Sequence, residues 1–419
     1  MFEFFLLIGI TMLLGFAAVL IFERTKISQA LLLMLFGILL GPVLHLVDYS
    51  QESLMRELSP LIGTLALVVL LFDGGITLNL FRVIRAVPRA FAFTLLSFAI
   101  TAMAVCLLMN FAFGWDYLYG LLLGAVVGGT SSAIVIAMVQ KSAADEDIRA
   151  LLTLESTITD ALCIISAFLI LQLLQAKEAS ILVAANLLLS AFSIATFLGV
   201  LGAIGWLLAM PRLKGKPFFY MLTIAIVFII YAISDASGGN GGIAVFVFGL
   251  ILGNVKMISK IVPINQRYYP DPSLALFQEE ITFFIRTFFF VYLGLLVIPA
   301  SLDTPMLSMS LAVLIVIILS RQAATGLMFR KDTYQVRGLV GTMLPRGLAA
   351  AILATLPAQN GIVLPYFFEI VLICILLTNV IATAGLFVFS RKKPPAQNSQ
   401  KENGNHAPSS NTVAKIGKK

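Results

Sequence analysis

Charge is scarce in this chain: of 419 residues, 12% are Asp, Glu, Lys or Arg, against 60% hydrophobic. A soluble domain carries roughly twice that charged share, so a soluble chain is excluded. Strict ten-residue alternation is also missing, which excludes an outer-membrane β-barrel. Cysteine is limited to Cys106, Cys163 and Cys374, all in apolar stretches, where they read as small buried hydrophobes. The two histidines, His45 and His406, belong to no cluster, so no metal centre of the zinc type is expected. The first apolar run lacks a basic n-region and a small-residue cleavage site, and reads as a retained first span.

What the chain has instead is hydrophobic length. A bilayer core of ~30 Å needs about twenty helical residues. Thirteen such spans follow one another, near 3–22, 29–47, 60–79, 88–113, 115–140, 148–175, 179–210, 218–234, 241–256, 274–299, 305–330, 335–357 and 364–390. The fold class is therefore an all-α polytopic membrane protein. Residues 1–390 form the transmembrane part, and 391–419 a basic, disordered tail. Loops after odd-numbered spans hold most of the Lys and Arg, from Arg24 and Lys26 through Arg82, Arg85 and Arg89 to Arg330, Lys331 and Arg337. Loops after even-numbered spans hold Arg56 and Lys177. The asymmetry predicts an external N-terminus and a cytoplasmic C-terminus in the cell membrane. The net charge of +7 is mostly this topology signal plus the tail, so no nucleic-acid partner is expected.

A few ionisable residues remain at membrane depth: Glu155 and Asp160 in span six, Arg286 in span ten, Arg321 in span eleven and Arg346 in span twelve, with Glu369 near the start of span thirteen. A charge at mid-bilayer costs at least ~2.5–3.5 kcal/mol, so each needs a partner or a function. Internal ion pairs that lock helices together are the plain reading for Glu155, Arg321 and Arg346. Ser156 and Asp160 are four apart and share one helix face; Glu155 and Thr159 share an adjacent one. Glu155 and Asp160, five apart, diverge by about 140° and face different neighbours. A carboxylate with hydroxyls is the hard-oxygen set that suits a small unreactive cation.

Two stretches should fail as helix. VVGGTSSAIV (126–135) carries Gly128 and Gly129 with Thr130 and Ser131, and GTMLPRGLAA (341–350) carries Pro345 and Gly347 around Arg346. Such backbone survives at membrane depth where protein or a water-filled cavity covers it. Paired interruptions in corresponding halves point to a transporter substrate site, with spans four to six and eleven to thirteen as inverted copies. Close helix packing is the competing explanation for either break alone.

LLFDGG (70–75), GGTSSA (128–133), LESTITD (154–160), GGIAVFVFGLILGN (241–254) and LPRGLAA (344–350) together resemble the NhaP-type sodium/proton antiporters of the monovalent cation:proton antiporter superfamily. The resemblance implies an NhaA-like antiporter fold with inverted repeats and two crossed, broken helices. It implies a core (about 88–175 and 305–390), a dimerisation part (about 1–80 and 218–299), a linker helix (about 179–210) and a homodimer. It further implies that Asp160 carries the cation or the proton, that Glu155 pairs with Arg321, and that Arg346 sits at the break of span twelve. Two positions depart from the family's usual wording: Thr159 precedes Asp160 where asparagine is usual, and Ser131 follows Thr130 where aspartate is usual.

The function expected is exchange of a monovalent cation, Na+ first, with Li+ or K+ open, for H+, electroneutral at 1:1 because one acid stays free once Glu155 is paired. The expected cation ligands are Asp160, Ser156, Thr159 and the carbonyls freed at Thr130 and Ser131. No cofactor is expected beyond the transported ions, and the partners are those ions, the lipid bilayer and a second copy. A K+/H+ antiporter of the same fold and a cation channel or sensor without counter-transport stay open as alternatives. An intramembrane aspartyl protease would need two facing acids, and its second candidate, Glu369, lies near a span end.

Overall fold

A computed structural model describes residues 2–25, 27–44, 54–78, 88–140, 142, 144–175, 181–213, 219–258, 272–295 and 303–389, without 141 and 143. The tail at 391–419 lies outside the described residues. All regular structure among the described residues is helical. The helices are α1 (Phe2–Thr25), α2 (Gln29–Ile38, continued by a π turn, Leu39–Val43), α3 (Leu54–Thr77), α4 (Pro88–Phe113), α5 (Tyr117–Gly128), α6 (Ser132–Gln140), α7 (Glu146–Gln175) and α8 (Ile181–Leu213). They continue with α9 (Phe219–Ala236), α10 (Gly241–Gly253, then a turn at Val255–Ile258), α11 (Pro272–Leu295), α12 (Thr304–Met328), α13 (Tyr334–Thr342), α14 (Leu348–Gln359) and α15 (Phe367–Phe389).

Counting α5 with α6 and α13 with α14 gives thirteen segments, as the hydropathy predicts. Seven are long and apolar enough to cross a bilayer by length and composition. The remainder include the short α2 and α10, the interrupted α13–α14 and the 24-residue α3 and α11; the second span passes into a π turn at Leu39, and its expected end at residue 47 lies outside the described residues.

The segments α4, α5–α6, α7 and α12, α13–α14, α15 repeat one pattern: unbroken, broken, unbroken. Seven spans separate the copies, and an odd number reverses the chain direction, so the repeats are inverted. Helix packing follows the same division. Helices α4, α5, α6 and α7 pack on one another, α12 on α4, and α13 and α14 on α15. Helices α1, α2, α3, α9, α10 and α11 form the other group, onto which α8 packs chiefly through α10.

Two of the quoted motifs build that second group. Any Cβ on Gly75 would strike the Phe246 carbonyl, and one on Gly249 would lie 2.5 Å from the Phe72 carbonyl, so α3 and α10 approach at backbone distance. Asn254 then donates its amide to the Leu78 carbonyl at 2.7 Å and fastens the ends of both helices.

Candidate functional site

The two broken helices cross, and the contact between them is a backbone hydrogen bond. Helix α5 stops at Gly128, Gly129 is extended (φ −92°, ψ 166°), and α6 starts at Ser132. On the other strand of the crossing, Met343–Gly347 is non-helical between α13 and α14. Pro345 has no N–H with which to continue a helix. Its carbonyl instead accepts the Ser131 N–H at 2.9 Å. The close approach requires glycine on both sides. A Cβ on Gly129 would sit 2.5 Å from Cys163 Sγ and 2.9 Å from the Thr159 carbonyl. One on Gly347 would land on Ser131 Oγ, with Ser131 Cβ at 2.5 Å. Gly128, buried at the end of α5, would meet the Phe98 ring at 3.0 Å.

Helix α7 lies against this crossing and sends its two acids in different directions. The Glu155 carboxylate meets Arg321 of α12 in a two-pronged ion pair, Oε1–Nη1 at 2.5 Å and Oε2–Nη2 at 2.9 Å. Both side chains are almost fully buried, at 2% and 3% exposure. Arg321 Nε donates to the Val340 carbonyl at 2.9 Å, and its guanidinium stacks 4.9 Å over the Phe93 ring. Thr130 Oγ1 reaches Glu155 Oε1 at 3.5 Å.

Asp160 faces the crossing itself. Its Oδ2 accepts the Ser132 N–H at 3.0 Å, at the first residue of α6, where the helix dipole favours negative charge. Among the described residues no Lys or Arg forms an ion pair with it. Asp160 is partly exposed, whereas Glu155, Ser156, Thr159, Thr130 and Ser131 are buried.

The hydroxyls are arranged differently from what the helical spacing suggests. Thr159 Oγ1 accepts the Thr130 N–H at 3.1 Å and lies 3.3 Å from the Thr130 carbonyl, so it braces the unwound backbone. Ser156 shares a helix face with Asp160, but its hydroxyl donates to the Thr153 carbonyl at 3.1 Å within α7. Arg346 lies at the second break with its N–H on Thr378 Oγ1 at 3.0 Å and its carbonyl accepting from Asn379 Nδ2 at 2.7 Å. Its Nη1 donates to the Leu344 carbonyl at 3.1 Å. Thr378 and Asn379 of α15 are thus part of the crossing, and the only sequence signal for them is a polar pair inside an otherwise apolar span.

Arg286, read from the sequence as part of a second internal ion pair or as a domain-interface residue, has a partner that the sequence reading does not name. Asp73 of α3 stands 3.7 Å from Arg286 of α11. LLFDGG places Asp73 near the end of its span, where an acid passes for interfacial.

Among the described residues, two cavities lie toward opposite ends of α7. One is lined by residues including Phe22, Ser28, Ser131, Arg286, Thr287 and Leu348. The other is lined by Gln172, Gln175, Asp235, Asn240, Gln359 and Asn360, with Phe168 also in its wall. The first reaches Ser131 in the break. Phe168 lies eight residues beyond Asp160 on α7, about 12 Å along the helix.

Crossed discontinuous helices inside two inverted repeats, with a carboxylate on a half-helix N-terminus, are an architecture found in membrane transporters. The chain belongs to the sodium/hydrogen exchanger family, whose transmembrane region matches residues 9–392. Among its relatives, the K(+)/H(+) antiporter NhaP2 of Shewanella sp. (strain ANA-3) is 27% identical over 391 residues, covering 89% of this chain and 64% of that protein. The probable Na(+)/H(+) antiporter 2 of Methanocaldococcus jannaschii is 27% identical over 297 residues, covering 68% of this chain and 66% of that one. The chain therefore spans about two thirds of the length of these relatives. The structure of the sodium proton antiporter MjNhaP1 from Methanocaldococcus jannaschii superposes with a TM-score of 0.72 at 22% identity, covering 90% of this chain and 98% of that one. The NhaP-type fold is the one the sequence motifs imply.

Proposed function

We propose that the chain exchanges a monovalent cation for a proton across the cell membrane as a secondary active transporter, with Asp160 as the shared binding group. The observation that carries this reading is the contrast between the two acids of α7. Glu155 is neutralised by Arg321, whereas Asp160 faces the crossing on a backbone amide with no basic partner among the described residues. A carboxylate that binds either a proton or a cation passes through the low-dielectric centre only when neutralised, which stops the empty carrier from leaking. The cation site is Asp160 with the carbonyl at Thr130; the Ser131 carbonyl expected beside it instead accepts the Val135 N–H at 2.9 Å in the first turn of α6, so Ser131 contributes at most its hydroxyl. Thr159 supports it through the backbone of the break, and Ser156 joins it after rotation of its hydroxyl.

One free acid at the crossing gives one cation per proton, an electroneutral exchange. Na+ is the cation assigned, and K+ is the second reading, favoured by the names of the NhaP2 relatives. The helix group around the crossing serves as the moving core and the α1–α3 and α9–α11 group as the dimerisation part, a division supported by the packing. The Lys- and Arg-rich loop ends support a cytoplasmic position for the Phe22–Ser28 side of the molecule, with the N-terminus outside.

The test is exchange in proteoliposomes, with Na+, K+ and Li+ offered in turn to the wild type and Asp160→Asn. The variant is expected to purify as folded protein and to lose exchange with every cation. Exchange at the wild-type rate in Asp160→Asn refutes the reading. Proton flux that persists without any cation gradient identifies a channel instead.

A further inference from the structure

The two intramembrane charge pairs differ in a way that bears on cation access. Arg321–Glu155 is closed: two short contacts, both side chains at 3% exposure or less. Arg286–Asp73 is open: a single contact at 3.7 Å, with side chains 31% and 20% exposed. Arg286 Nε is itself buried and finds no hydrogen-bond partner among the described residues. Arg286 also lines the cavity that reaches Ser131, and among the described residues it is the one charged residue in that lining. Asp73, 3.7 Å from Arg286, is not among the residues that line the cavity. The remaining wall is apolar side chains with a few hydroxyls and Gln29. A cation moving up this cavity toward the crossing therefore meets a guanidinium whose charge is only loosely offset.

We propose that Arg286, tethered by Asp73, is a positioning charge that sets the apparent affinity for the transported cation at the cytoplasmic face. The proposal rests on the exchange reading above. In a cavity with low-dielectric walls a fixed positive charge is weakly screened, so it opposes cation occupancy of the inner path. Asp73 tunes the strength of that opposition. The outer cavity is separate from Arg286, so the effect belongs to one face. Such an arrangement delays cation loading at the cytoplasmic face until the cation is abundant there.

The experiment is cation-dependent exchange by the full chain in oriented vesicles, with half-saturating concentration and maximal rate measured at each face for Na+ and for K+. Arg286→Gln is expected to lower the half-saturating concentration at the cytoplasmic face by about tenfold and to leave the maximal rate within about twofold. Asp73→Asn, which leaves Arg286 without its counter-charge, is expected to raise it by a similar factor. Arg286→Lys, which keeps the charge, is expected to restore the wild-type value. Outer-face values stay at wild type throughout.

If Arg286→Gln does not fold, Asp73→Asn carries the test, because it retains the arginine. Unchanged cytoplasmic half-saturation in Asp73→Asn, or equal shifts at both faces, overturns the proposal and leaves the pair as a tie between α3 and α11. Exchange surviving in Asp160→Asn would instead overturn the underlying reading, so the two failures are distinguishable.

Discussion

Replacing Glu155 with Gln removes one charge from a pair that has no water to fall back on. Arg321 would stay at the same depth with its Nε on the Val340 carbonyl and its face on Phe93, and both of its Nη groups would lose their ionic acceptor. Leaving one partner of a buried pair uncompensated costs about 3–5 kcal/mol. The stacking on Phe93 does not offset this, because that cation–π contact is already present in the wild type and cancels from the difference. Glutamine keeps one carbonyl oxygen for a neutral hydrogen bond, which returns roughly 1 kcal/mol. The net loss is therefore about 2–4 kcal/mol, a factor of roughly thirty to a thousand in the folded ratio, since each 1.4 kcal/mol is tenfold. Removing both charges together, as Glu155→Gln with Arg321→Gln, leaves no orphaned ion and is expected to recover part of the loss. The measurement is equilibrium unfolding of purified protein in a fixed detergent, comparing wild type, both single variants and the double as a cycle. Additive losses in that cycle, or a Glu155→Gln variant as stable as wild type with an altered cation-to-proton ratio, would refute the assignment of Glu155 to structure.

Two further substitutions probe the crossing. Gly347→Ala puts a methyl where Ser131 Oγ and Cβ already stand. It is expected to push the two linkers apart, break the Ser131–Pro345 hydrogen bond and cut the maximal exchange rate at least tenfold, with Gly347→Ala/Ser131→Gly recovering part of it in the same vesicle assay. Thr159→Val keeps the shape but removes the acceptor for the Thr130 N–H and is expected to cost about 1–3 kcal/mol in the unfolding measurement. Thr159→Asn restores an acceptor there and is expected to unfold closer to wild type than valine does.

Much of the fold was legible because its signals are local. Gly128, Gly129, Pro345 and Gly347 mark where helix fails, and the breaks at 129–131 and 343–347 fall inside the two stretches they define. The 140° divergence of Glu155 and Asp160 follows from helix geometry alone, and the two carboxylates do contact different elements, α12 and α6. What periodicity does not encode is the choice of rotamer and the register between distant helices. Asp73 and Arg286 are 213 positions apart, and neither one's surroundings announce the other. The same limit explains Thr378 and Asn379, whose role appears only once α15 is laid against the second break.

Thr159 shows how the two kinds of information combine. Beside Asp160 in sequence, with an oxygen where the family has an amide, it reads as a cation ligand. In the fold its oxygen is occupied by the Thr130 backbone on one side and lies 3.2 Å from the Ser156 carbonyl on the other. The Thr130 N–H takes one of that oxygen's two lone pairs, its proton goes to the Ser156 carbonyl, and the Thr130 hydroxyl at 3.4 Å competes for the lone pair that is left on Thr159. Its influence on the site then runs through the position of the Thr130 carbonyl. An asparagine, longer by one heavy atom, would hold the same N–H from a different distance and shift that carbonyl relative to Asp160. Any cation preference that separates this chain from relatives with asparagine is therefore expected to appear as a change in site dimensions, read as the ratio of Na+ to K+ half-saturation in Thr159→Asn against wild type. A purely first-contact role for Thr159 predicts instead that Thr159→Val weakens every cation alike.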